Sequence, residues 1–251
     1  MDSDQLLAEA ARREDAGAYA AALTLTVRAR AQLSQSGGGE ALIRVLLVEG
    51  RLHQQLGDLA RAERTLREAL SLAGAHPEGL VRTQAAGALA SVYRARGRYA
   101  QAESLLTESI ALAVQDPAIG ARELAWLLNE LAVTYKYTGQ FDEAERIYQR
   151  ALALLEQELG PEHPEMATVY HNLGGLAHAR GDFAAALPYA RRSVNLRERA
   201  LGPNIPRWPP TAPRWPRSWM RSAITRRPKP YCGMRCGCSP GCSAPITTRS
   251  P

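Results

Sequence analysis

Five glycines recur along the chain at a nearly fixed interval: Gly17, Gly57, Gly97, Gly139 and Gly181, spaced 40, 40, 42 and 42 residues apart. Two residues after each stands Tyr19, Leu59, Tyr99, Phe141 or Phe183. Three more columns keep the same register. Five residues on are Ala22, Ala62, Ala102, Ala144 and Ala186; twelve on are Ala29, Ala69, Ser109, Ala151 and Ser193; seven before are Ala10, Gly50, Ala90, Ala132 and Gly174. All fifteen of these positions are Ala, Gly or Ser. A period of this length constrains the fold more than any local preference, because each unit must bury its apolar face against the next one.

Between the columns the chain is rich in Ala, Leu, Arg, Glu and Gln, with apolar residues three and four apart, as in LLNELAVTY and EAERIYQRAL. That periodicity predicts amphipathic helices on both sides of each glycine. The glycine ends the first helix and turns the chain back. Small residues where the two helices cross let their axes approach, and the neighbouring Leu, Tyr and Phe fill the flanking space.

These residues resemble the tetratricopeptide repeat family. Its signature of a spaced Leu, a small residue and an aromatic, followed by Ala and an aromatic four later, is matched by Leu128, Leu131, Ala132, Tyr135, Ala144 and Tyr148. The 42-residue period, the linker LGPEHP and the following EMATVYHNLGGLA are similar to the kinesin light chain type of repeat. The resemblance spans residues 1–203 and is strongest from Glu123 onward. Glu9 and Glu49 stand where a core Leu is usual, which marks the first two repeats as weaker members or a cap. The expectation is an all-α superhelix of about five helix-turn-helix repeats.

Stacked hairpins leave an extended inner face free for binding. The resemblance implies that this face is lined by Arg44, Arg51 and Gln54, by Gln84, Ser91 and Arg94, by Trp126, Asn129, Val133, Lys136 and Tyr137, and by Thr168, His171 and His178. No carboxylate is among them, although residues 1–203 as a whole hold 22 basic and 25 acidic residues. Arg44, Arg51, Arg94 and Lys136 would favour an acidic peptide or a C-terminal carboxylate. Asn129 would hydrogen-bond a peptide backbone, and Trp126 and Tyr137 would anchor apolar groups. His171 and His178 complete the candidate groove.

Nothing in residues 1–203 reads as an active site. There is no G-x-x-x-x-G-K-[ST], H-E-x-x-H or G-x-S-x-G, so the expectation is a non-enzymatic scaffold or adaptor that needs no cofactor, metal or nucleic acid. The other reading is the ligand-sensing fragment of a larger signalling protein. His53 falls in the column of Tyr93 and Tyr135, a packing position. With no 18-residue apolar run, an acidic start unlike a signal peptide and no cysteine before residue 204, a cytoplasmic protein is expected.

Residues 204–251 break this pattern. They hold nine basic residues and no acidic one, all four cysteines, three of the four tryptophans and ten of the sixteen prolines. Such a Pro-broken basic segment should be disordered. Cys232, Cys236, Cys238 and Cys242 form C-x3-C-x-C-x3-C, which admits a zinc reading, and Arg interleaved with Trp admits a nucleic-acid reading. A third reading is a sixth repeat translated out of phase after a one-base slip near residues 200–204. Codons built from the last base of one residue and the first two of the next then restore parts of the pattern. The scarcity of Lys, 2 against 29 Arg, suggests the GC-rich coding sequence this requires. Loss of that repeat would leave the fifth uncapped and open to self-association.

Overall fold

The computed structural model describes residues 2–35, 37–75 and 79–201. Within them lie ten helices and no strand: α1 (Ser3–Asp15), α2 (Tyr19–Gln35), α3 (Gly39–Gln55), α4 (Leu59–Gly74), α5 (Gly79–Ala95), α6 (Tyr99–Gln115), α7 (Ala121–Tyr137), α8 (Phe141–Leu159), α9 (Met166–Ala179) and α10 (Phe183–Leu201). Consecutive helices pair as five hairpins, α1 with α2 through α9 with α10. Each hairpin packs on the next, and α3, α5, α7 and α9 also touch in sequence along one side. The expected all-α solenoid is the fold found. Residues 202–251, with the zinc, nucleic-acid and out-of-phase readings, lie outside the described residues.

The five turns are built alike. Each periodic glycine has φ between 73 and 82°, the left-handed region that costs a residue with a Cβ. The next N–H reaches back to the last turn of the first helix: Asp58 to the His53 carbonyl at 2.9 Å, Arg98 to Tyr93 at 2.8 Å, Gln140 to Tyr135 at 2.9 Å and Asp182 to Ala177 at 2.9 Å. This is the Schellman closure, which satisfies carbonyls the helix end would otherwise leave unpaired. In two turns the same residue also starts the second helix. The carboxylates of Asp58 and Asp182 accept from the N–H groups of Arg61 and Ala185, both at 2.9 Å.

All fifteen small positions are buried. At Gly50 an added Cβ would sit 2.5 Å from Leu66 Cγ, whereas at Gly174 the nearest atom, the Ala186 carbonyl oxygen of α10, would stand at an ordinary contact distance of 3.4 Å. Size, more than conformation, fixes Gly50. The largest apolar cluster joins α7, α8, α9 and α10 around Leu128, Tyr148, Met166 and Leu173. A second joins α4 to α7 around Leu66, Leu89, Leu106 and Leu127.

The first two repeats fold as full hairpins despite Glu9 and Glu49. Glu9 turns to the surface between Arg12 and Arg13. Glu49 is buried, with Arg30 Nη1 at 3.0 Å and His53 Nε2 at 3.7 Å, and Arg30 also grips Glu68. His53 is thus a buried packing residue, as its column implied. Glu63, 2% exposed, gathers Arg67, Arg96 and Arg98, tying α4 to the next turn, and Arg180 repeats that link to Glu145 two repeats later.

The extra length of the later repeats lies between hairpins. The turns within hairpins stay at three residues, while the linkers grow from 36–38 through 75–78 and 116–120 to 160–165. No helix among the described residues is long and apolar enough to cross a membrane.

Candidate functional site: the inner groove

The side made by α3, α5, α7 and α9 encloses a groove of about 910 Å³. Of the nine residues singled out in the sequence, seven line it: Arg51, Arg94, Trp126, Asn129, Lys136, Tyr137 and His171. Arg44 and His178 do not. Arg44 folds back on Glu40 of its own helix and is largely exposed. His178, in the last turn of α9, packs edge-on against Phe183, with ring centroids 5.0 Å apart. Gln54, Gln84, Ser91, Val133 and Thr168 line the groove as their columns implied.

A hydrogen-bonded polar ribbon runs along the groove from α3 to α9. Gln54 Nε2 donates to Ser91 Oγ at 3.0 Å, and Arg94 Nη2 donates to the same oxygen at 3.3 Å. Arg94 Nη1 then meets Glu130 Oε2 at 2.9 Å, both side chains being largely buried. Asn129 Nδ2 donates to Glu130 Oε1 at 3.4 Å, and Asn172 Nδ2 donates to Asn129 Oδ1 at 2.8 Å. Asn129 and Asn172 are each 6% exposed, so their bond cross-links α7 and α9 away from competing water.

The groove therefore contains carboxylates that the inner-face columns did not include. Glu123, Glu130 and Glu165 line it together with Arg122 and Arg197. Arg94 is engaged by Glu130, Arg122 by Glu165, and Arg51 by Glu14 at 2.8 Å. Burial alone pulls the Arg197 guanidinium below its ordinary range. Lys136 differs from the arginines. It pairs with no carboxylate among the described residues, and burial, aided by the nearby Arg94 charge, pushes its ammonium down to about 8. Its Nζ lies 5.5 Å from the Tyr137 ring centroid, and Tyr137 in turn stacks on Tyr99 at 6.1 Å.

Trp126 forms the apolar part of the wall. It reaches from α7 across to α5, where Gly87 makes room: a Cβ there would collide with the indole. The ring remains 36% exposed on its other side. Tyr148, behind the groove, is fully buried with a hydroxyl that has no hydrogen-bond partner among the described residues, and burial pushes its pKa far up. Among those residues no cluster of three or more His, Cys, Asp or Glu could hold a metal.

The groove is the long inner wall of a helical-hairpin solenoid, and that class of molecule is a scaffold for binding another protein or peptide. Profiles of the tetratricopeptide repeat match residues 43–68, 81–157 and 123–199, more than half of the chain. The chain belongs to the tetratricopeptide repeat family. No curated protein sequence matches it. Among solved structures it is similar to BtubC (BKLC) from P. vanneervenii, 23% identical, with 82% of this chain and 78% of that one covered at a TM-score of 0.60. It is also similar to the kinesin light chain TPR-like repeats of Podosopora anserina, 19% identical, with 79% of this chain and 96% of that one covered at a TM-score of 0.59. The apo form of RapI, 11% identical, is similar over 80% of this chain and 72% of that one at a TM-score of 0.63. These likenesses are of fold.

Proposed function

We propose that the inner groove binds an extended segment of another protein through its carboxylates, without catalysis, in the cytoplasm. Lys136 carries this reading. It is a cation held partly out of water in a groove whose other basic residues mostly have acidic neighbours, so an arriving carboxylate gains the full pair without displacing an internal partner. The groove's amides suit a main chain: Gln84 and Gln54 on one side and the Asn129–Asn172 pair on the other offer donors and acceptors along the line an extended peptide would follow. Trp126 and Tyr137 add exposed ring surface for apolar side chains.

The test is a peptide library displaying Asp- and Glu-rich segments beside the same segments with Asn and Gln. Acidic members should bind with an affinity that falls with salt. Lys136→Met should weaken them at least tenfold, about 1.4 kcal/mol. A carboxylate beside Lys136 raises its pKa, so binding near pH 8 should take up protons, measurable as a dependence of the binding enthalpy on buffer. Equal binding of acidic and amide peptides, or indifference to Lys136→Met, overturns the reading.

A further inference from the structure

The stacking rule of this array predicts something about the outward face of α10. At the position held by Thr26, Leu66, Leu106 and Tyr148 in the first four hairpins, the side chain is fully buried. In the fifth hairpin that position is Ala190 and only half-buried. Seven residues further along, Ala73, Ala113 and Leu155 of the second to fourth hairpins are buried, and their α10 counterpart Arg197 is half-buried. The surface that every earlier hairpin seals with the next helix is thus unsealed among the described residues, and it continues an interface repeated four times below it.

We infer that this face is the seat of a sixth helical hairpin, and that the hairpin is encoded one base out of phase with residues 204–251. The genetic code supplies the independent observation. In the phase one base back, Trp215-Pro216 must read Ala, whatever the codons used. It falls 42 residues after Gly174, a site the structure shows buried against α10. Arg214-Trp215 must read Leu, Val or Met, 42 after Leu173, which is 1% exposed. Tyr231-Cys232 must read Leu, 84 after the fully buried Tyr148. Met234-Arg235 must read Ala or Glu, 42 after the buried Ser193, and Arg235-Cys236 must read Leu, Val or Met, 84 after Leu152. These five codons land on buried template sites, and four of them are confined to residues such sites accept; Trp219-Met220 must read Asp, 42 after the exposed His178. Ser222-Ala223 further admits Gly where the next turn is due, 42 after Gly181. Asn204-Ile205, Ile205-Pro206 and Pro206-Arg207 admit His-Pro-Glu, 42 after His163, Pro164 and Glu165.

The occupant is therefore a hairpin with an Ala at its helix crossing, a glycine turn and a Leu-bearing second helix. The first experiment sequences the coding DNA from codon 195 onward. The inference expects an open shifted phase through and beyond codon 246, GGC at the turn and CAT at Asn204-Ile205. A stop codon in that phase before the turn, or any residue but Gly at the turn, overturns it. The second compares the natural chain with a full-length protein carrying the restored phase. Restoration should add helix by circular dichroism and raise the melting temperature by roughly 5–10 °C. Adding Ala190→Arg and Val194→Arg should cancel that gain. An open phase with no added helix and an unchanged melt overturns the inference.

Discussion

At the scale of single residues, the groove shows why a column of a repeat is an incomplete guide to a surface. Glu130 and Asn172 share a column with Ala8, Val48 and Ala88, so the early repeats make the position look apolar. In the last two repeats it carries the polar ribbon instead. Arg44 and His178 fail for the opposite reason: their columns line the groove in the middle repeats, but these two residues have nearer partners in Glu40 and Phe183. Gly87 left no sign of its role, since only the reach of Trp126 from the next hairpin demands it. Lys136 gives a prediction at this scale. Its pKa falls from 10.5 unfolded to about 8 folded, so between those values the unfolded chain binds more protons and stability rises with pH. Below pH 8 the folded state bears the cost of the buried charge. Lys136→Met should therefore be more stable than the parent at pH 7, with the difference shrinking as pH climbs from 8 to 10.5; chemical denaturation across that range measures it. A constant difference would mean that Lys136 is solvated like a surface lysine.

Helices and turns were the most legible part of the chain. The glycine period, the small columns and the aromatic two residues after each glycine all depend on contacts inside one hairpin or between neighbours, and such local contacts leave a periodic trace. The ion pairs did not show. Glu63 reads as an exposed helix residue until the arginines of the next turn are brought against it. The turn itself offers a direct check. At Gly139, with φ +79°, an added Cβ would touch nothing within 4 Å. The whole effect of Gly139→Ala should come from the backbone conformation, about 1–2 kcal/mol of destabilisation. Thermal or urea unfolding of the variant measures it. No change would mean that the turn has relaxed to another closure, which loss of the Gln140 to Tyr135 hydrogen bond would reveal in amide exchange.

For the molecule as a whole, stability follows the clusters. The α7 to α10 region joins many buried side chains, whereas the N-terminal end rests on two small clusters of three buried residues each: Leu6, Ala29 and Val45, and Ala10, Ala22 and Leu52. In a one-dimensional array these terms act nearly independently. Amides of α1 and α2 should exchange with solvent faster than those of α7 and α8 by at least about tenfold. Uniform protection would show that the hairpins unfold as one unit. The partition of length described above has a mechanical consequence. Every hairpin keeps the same three-residue turn, and the longest segment between hairpins, 160–165, is strapped to both neighbours: Arg122 of α7 holds Glu165, and Arg192 of α10 holds the Pro161 carbonyl and Glu162. Tension that parts α7 from α9 would therefore load these straps together with the Asn129–Asn172 bond that spans the same gap.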